Sequence, residues 1–217
     1  MFGGIFMQEL VEITVDGKNM AVSADTTVLQ ALREHDIYLP ALCYHPHLEA
    51  YGSCGLCLVE ILNDDNWETK HACLLKVKDG LQIRTDTSEL RLLRSWAAKI
   101  FLRHRPFLNH KTENFLLNLV QDEIKEKPED ENLTKCIKDL SGYMTEGCIL
   151  CGLCVRMCSK IGKHHLTFLG KGKNLRISFV RGKSGETSCG NCRACCHVCP
   201  AGFITSNAEQ AFSAKLY

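Results

Sequence analysis

Between Cys148 and Cys199, nine of the chain's 14 cysteines fall within 52 positions, and they repeat one spacing. The first run reads Cys148-x2-Cys151-x2-Cys154-x3-Cys158, and the second reads Cys189-x2-Cys192-x2-Cys195-x3-Cys199-Pro200. Apolar residues between these cysteines are too few for an ordinary core, so something other than hydrophobic burial must hold this part together. Cysteine in such density serves disulfides, zinc or iron. A secreted disulfide scaffold is normally shorter and follows a leader, whereas Met1–Gln8 has no basic segment and too short an apolar stretch. The expectation is a cytoplasmic chain with reduced thiols, with Met7 as an alternative start. Zinc knuckles are built from separated Cys-x2-Cys pairs, and the third cysteine at the same short spacing in each run has no use in a four-ligand ion.

The duplicated spacing matches the bacterial ferredoxin run, in which three close cysteines grip one cubane and the fourth ligates the other cluster. Two-residue gaps let a loop wrap a cluster, with backbone amides turned toward its sulfides. One [4Fe-4S] cluster is then expected on Cys148, Cys151, Cys154 and Cys199, and the other on Cys158, Cys189, Cys192 and Cys195. The first run ends Cys158-Ser159, so the full Cys-Pro signature stands only in the second. Upstream lie Cys43-x10-Cys54-x2-Cys57-x15-Cys73, four thiols, which is the number a [2Fe-2S] cluster requires. Their spacing is not that of plant-type ferredoxins.

Alternating Val11, Ile13 and Val15, a turn at Asp16-Gly17, and resumption at Met20 and Val22 predict a β-hairpin. Asp25 or Thr26 is the expected cap of a short helix carrying Val28, Leu29, Ala31 and Leu32, stopped by Tyr38-Leu39-Pro40. Strands are predicted at Leu56–Leu62 and Leu81–Arg84, with a turn at Asn63–Asn66. Helical spacing of Leu90, Leu93, Trp96, Ala97, Ile100 and Phe101 predicts a helix over Ser88–His104, and a second spans Thr112 to about Lys125. Charged, proline-bearing Glu126–Asn132 is the most linker-like stretch, which puts a boundary near 130.

A more particular likeness joins these features. Leu39–Pro46 (LPALCYHP), Gly52–Glu60 (GSCGLCLVE), Ala72-Cys73, Ile83–Ser88 and Cys148–Cys158 (CILCGLCVRMC) resemble the N-terminal region of the large iron-sulfur subunit of respiratory complex I. The chain is equally similar to the diaphorase iron-sulfur subunit of NAD-reducing hydrogenases and to the accessory domains of iron-only hydrogenases. That resemblance implies an α+β chain. A β-grasp [2Fe-2S] ferredoxin domain over 1–86 precedes a helical connector over 87–132 and a two-[4Fe-4S] ferredoxin-like domain over 133–217. It implies Cys43 and Cys54 on one iron, with Cys57 and Cys73 on the other. Many relatives insert a third cubane held by one His and three Cys. The corresponding Leu102–Thr112 has no cysteine, so that cluster is expected to be absent.

Residues outside these sets have plainer roles. His45 and His47 read as loop histidines, because a Rieske site would need a second Cys-x-His. His104 and His110 read as surface or satisfied core residues, and Cys136 and Cys196 as small hydrophobes. Lys160, Lys163, Lys171, Lys173, Arg176, Arg181 and Lys183, against Glu186, predict a solvated basic hairpin, or else a docking face for an acidic partner. Gly170-Lys-Gly172 is too short for a phosphate loop. With 26 Lys and Arg against 25 Asp and Glu, no global field or aromatic-basic stripe favours nucleic acid, and no apolar run reaches the ~20 residues of a membrane span.

No catalytic residue set stands out. The expected role is a non-catalytic electron-transfer subunit, relaying single electrons between a flavoprotein NAD(P)-binding subunit and a hydrogenase or formate dehydrogenase type partner. Flavin and NAD(P) are expected on that partner only, because a hydride carries two electrons and each cluster takes one. Any catalytic centre is expected in another subunit, and electron bifurcation would suit such low-potential clusters. A free-standing polyferredoxin and a zinc-stabilised structural protein are the alternatives.

Overall fold

The computed structural model describes residues 9–126, 146–180, 189 and 191–213. Met1–Gln8 with the alternative start, residues 127–132 of the expected linker, the boundary near 130, Cys136, Arg181, Lys183 and Glu186 lie outside the described residues. The chain forms two compact units. One comprises Met1–Ala41 and Ala50–Arg94, and the other Leu42–Glu49 and Ser95–Tyr217.

The first unit is built on a five-stranded mixed sheet. Its strands are Leu10–Val15 (β1), Lys18–Ser23 (β2), Leu58–Asn63 (β3), Asn66–His71 (β4) and Leu81–Arg84 (β5), in the order β2-β1-β5-β3-β4. Only β1 and β5 run parallel. The two hairpins are closed by Asp16-Gly17 and Asp64-Asp65, all four with positive φ, as a two-residue turn that continues the strands' twist requires. Asp16 does more than turn: its carboxylate accepts from the Thr85 amide at 2.8 Å and the Thr85 hydroxyl at 2.6 Å. Ile13, Val15, Val22, Val59 and Ile83 are buried, together with Val28, Leu29, Ala31 and Leu32 of the helix Val28–Glu34 (α1).

Neither of the expected residues, Asp25 or Thr26, caps α1. The cap of α1 is Thr27, whose hydroxyl accepts from the Gln30 amide while the Gln30 side chain accepts from the Thr27 amide, a reciprocal capping box. Thr26 lies one residue before that cap, and its hydroxyl donates to the Ser23 carbonyl. Strand β4 was not foreseen. Its sequence, NWETKH, is an edge strand with half-exposed or exposed side chains, so it lacks an apolar alternation; Trp67 is instead covered by the Arg84 guanidinium, 3.7 Å from the ring centroid.

Helix Ser88–Leu102 (α2) matches its predicted span, but not its predicted face. The buried positions are Leu90, Arg94, Ser95, Ala98, Lys99 and Leu102, while Trp96 and Ile100 are 50% and 56% exposed. Apolar periodicity misleads because a cation occupies the buried side: Arg94 donates through Nε to the Leu56 carbonyl (3.1 Å) and through Nη2 to those of Leu58 (2.5 Å) and Thr85 (2.7 Å). One guanidinium fork thus serves all three carbonyls.

In the second unit, helix His110–Glu126 (α3) precedes Leu153–Lys160 (α4), the strands Leu166–Leu169 (β6) and Arg176–Phe179 (β7), and two short helices, Ala194–His197 (α5) and Ala208–Ser213 (α6). Strands β6 and β7 pair antiparallel, so the basic stretch between the cysteine runs does contain a hairpin, with Lys171 exposed at its turn. The unit's core unites Leu166, Ile177, Phe179, Ile204, Ala208 and Phe212 with four cysteines, Cys154, Cys158, Cys189 and Cys195. Among the described residues no helix is long and apolar enough to cross a membrane.

Replacing Arg94 by Met keeps the stem and strands three carbonyls, so it should lower unfolding free energy by on the order of 3 kcal/mol. Chemical denaturation of the cluster-loaded protein measures this, and a midpoint equal to that of the wild type would refute the role given to the guanidinium.

Candidate metal centres

Register and turns place three of the upstream thiols at one end of the β3–β4 ladder. Leu58 pairs with His71, so Cys57 just precedes the ladder and Cys73 just follows it, and the Ala72 amide donates to the Cys57 carbonyl at 2.9 Å. Cys54 lies three residues before Cys57, and all three side chains are buried. The first-turn amides of α1, which have no partner within the helix, donate to this segment: Val28 to the Leu75 carbonyl at 2.8 Å and Leu29 to that of Ala72 at 3.0 Å. Burial lowers the pKa of Arg94, and Asp86 and then Cys57 oppose that by favouring its charged form. Cys43, only 1% exposed, sits on the segment Leu42–Glu49 that belongs to the second unit.

In the second unit Cys148, Cys151, Cys154 and Cys199 line one small cavity, with an apolar wall that includes Ile177, Phe203 and Phe212. Burial pushes the Cys151 thiol up to about 12, and Cys148, Cys199 and Cys43 add to the rise; the Leu153 amide, hydrogen-bonded to it, works the other way. Cys154 is raised by burial and then by Cys151, Cys148 and Cys199, with Cys195 last. The remaining four make a second neighbourhood. Burial pushes Cys195 up to about 11, followed by Cys189 and Cys192, with Cys158 weaker. Cys189 is raised by burial, against a hydrogen bond from the Glu209 amide, and then by Cys158 and Cys192. The His165 amide donates to the Cys158 sulfur at 3.2 Å.

Cys151, Cys154, Cys189 and Cys195, raised by burial and by neighbouring cysteines, cannot ionise together unless positive charge enters with them. Iron would supply that charge, and the donor set suits it: four thiols around an apolar cavity, with backbone amides hydrogen-bonded to sulfur. No group of three or more His, Cys, Asp or Glu among the described residues closes to the distances of a single metal ion. The thiols are spread around a space instead.

Local structure fixes the cysteine loops. Gly152 has φ +72°, and a Cβ there would meet the Phe168 ring at 3.0 Å, so only glycine carries the chain from Cys151 into α4. On the far side the Pro200 carbonyl accepts from the Asn109 side chain (2.8 Å) and the Thr112 hydroxyl (2.6 Å), tying Cys199 to the start of α3. No metal-binding sequence pattern includes Asn109, Thr112 or Arg94, so none of them could be read from the cysteine spacing. His45 and His47 do interact locally, the His47 amide donating to His45 Nδ1 at 3.3 Å. Cys196 is half-buried beside the core, and His104 is buried.

Residues 8–88 match the model of the 2Fe-2S iron-sulfur cluster binding domain family. The N-terminal part is a 2Fe-2S ferredoxin-like sheet domain. Beyond it, the whole chain is similar to larger proteins. Over 95% of its length it is 28% identical to the NADH-ubiquinone oxidoreductase 75 kDa subunit of Reclinomonas americana, of which it covers 30%. It is 28% identical to the mitochondrial NADH dehydrogenase [ubiquinone] iron-sulfur protein 1 of Solanum tuberosum, over 96% of this chain and 29% of that one. To the mitochondrial NADH-ubiquinone oxidoreductase 78 kDa subunit of Candida albicans it is 25% identical, over 94% and 29%. The chain thus spans less than a third of the length of these relatives. In fold it is like a chain of a solved NAD+-reducing [NiFe]-hydrogenase in the H2-reduced state, with a TM-score of 0.61 at 24% identity over 88% of this chain and 85% of that one.

Placing alanine at Gly152 forces a left-handed backbone on a residue with a Cβ, at a cost of about 1–2 kcal/mol before the clash with Phe168 is counted. The cluster-loaded Gly152→Ala protein should melt lower and retain less iron than wild type on desalting. Iron retention and melting equal to wild type would show that this glycine does not shape the loop.

Proposed function

We propose that this chain is an iron-sulfur electron-transfer subunit that holds one [2Fe-2S] and two [4Fe-4S] clusters and carries no catalytic centre of its own. Its ligands are Cys43, Cys54, Cys57 and Cys73 for the first, in a β-grasp arrangement over 1–86. Cys148, Cys151, Cys154 and Cys199, and separately Cys158, Cys189, Cys192 and Cys195, hold the cubanes in the part beyond 132, with 87–132 as connector. The observation that carries the reading is the gathering of the duplicated run's thiols into one small core, four of them around a single cavity.

When bound, such clusters each accept and release one electron. Everything else is the work of the polypeptide. The thiolates fix the positions, the amides of Leu153, Glu209 and His165 spread the negative charge on sulfur, and the apolar wall keeps water from it. The partners that match this role are a flavoprotein subunit that handles NAD(P) and a hydrogenase or formate dehydrogenase type subunit, in a cytoplasmic complex that also suits electron bifurcation. Related proteins named as subunits of NADH-linked oxidoreductases support that placement.

Anaerobically purified protein should contain about 10 irons, two from the binuclear and eight from the cubane clusters, with matching acid-labile sulfide and the EPR signals of both types on reduction. A content near 2 would remove the cubanes from the proposal, and stoichiometric zinc would replace it altogether. Co-purification with a flavoprotein separates a complex subunit from a free polyferredoxin.

A further inference from the structure

The basic residues around the first cubane run do not all face solvent. Arg156 lies on α4 between Cys154 and Cys158, and its guanidinium reaches the segment Leu42–Glu49 within the same compact unit. Its Nη2 donates to the Cys43 carbonyl at 2.7 Å, and its Nη1 donates to the Glu49 carbonyl at 2.6 Å. One turn further along α4, the Lys160 ammonium donates to the His47 carbonyl. Two cations at i and i+4 thus hold three carbonyls of one short segment. Inside that segment the Leu48 amide donates to the His45 carbonyl at 3.0 Å, so it is a compact turn and the clasp orients it as a body.

We propose that Arg156 is a positioning residue: by clasping the backbone of Cys43 from a helix that also carries Cys154 and Cys158, it fixes the spacing between the iron bound at Cys43 and the cubane bound at Cys148, Cys151, Cys154 and Cys199. The inference rests on the cluster assignments above. The hydrogen-bond geometry carries it. Two charge-assisted bonds from one planar fork restrain both distance and orientation, which a single ammonium contact does not. Electronic coupling between metal centres falls steeply with separation, so a restraint of this kind governs how strongly the two centres sense each other. The sequence left this link open, because Leu102–Thr112 supplies no cysteine for an intervening cluster.

The test uses the complete, cluster-loaded chain. In fully reduced wild type, the cubane should speed spin relaxation of the [2Fe-2S] EPR signal, read as the microwave power at half saturation. Arg156→Gln, with iron and sulfide unchanged, should lower that power several-fold and accelerate amide hydrogen exchange across residues 42–49. Arg156→Lys, which keeps the charge and at most one of the two bonds, should fall between. Wild-type relaxation and exchange in Arg156→Gln would overturn the inference. If Arg156→Gln fails to retain clusters, Arg156→Lys decides: intermediate relaxation supports the clasp, and wild-type relaxation overturns it. Absence of either signal in the wild type would instead defeat the cluster assignments, before Arg156 is altered.

Discussion

A thiol buried in an apolar setting resists ionisation, and several together resist it more, because each thiolate raises the cost of the next. The second unit is arranged around that conflict. Cys154, Cys158, Cys189 and Cys195 occupy core positions where a small domain would place leucine or valine, and burial drives Cys151 and Cys195 toward the protonated form. Such a core is weak as a hydrophobic core. Where metal binds thiols of this kind, its binding free energy adds to folding free energy.

From this constraint the surrounding architecture follows. The elements nearest the cysteine runs are short, α5 having four residues and β6 and β7 four each, whereas α3 has 17. Gly152 permits the turn from Cys151 into α4, and Asn109 and Thr112 hold the carbonyl that follows Cys199. The first unit has the opposite balance. Its sheet and α1 form a conventional core of branched aliphatic side chains, and its cysteines sit at one end of a hairpin that core already supports. Loss of metal should therefore cost the second unit more of its structure than the first.

Much of this was legible in the sequence, for identifiable reasons. Alternation in Val11, Ile13 and Val15, the Asp16-Gly17 turn and the helix at Val28 are local signals, and the structure follows them within a residue or two. Strand β4 escaped because an edge strand needs no apolar stripe. The buried face of α2 escaped because Arg94 is stabilised by three carbonyls distant in sequence, at Leu56, Leu58 and Thr85. The same holds for Arg156 and for the Pro200 clamp. Cysteine spacing is what singles out the proposed ligands, whereas the polar contacts that hold the loops around those cysteines have no spacing of their own.

Diffraction at the iron absorption edge tests the central claim most directly. Crystals of the anaerobically prepared protein should show three separate groups of anomalous density: one against Cys54, Cys57 and Cys73, with Cys43 as the fourth ligand, one in the cavity of Cys148, Cys151, Cys154 and Cys199, and one among Cys158, Cys189, Cys192 and Cys195. Single-atom peaks that respond at the zinc edge, or an ordered second unit with no anomalous density among its thiols, would contradict the account.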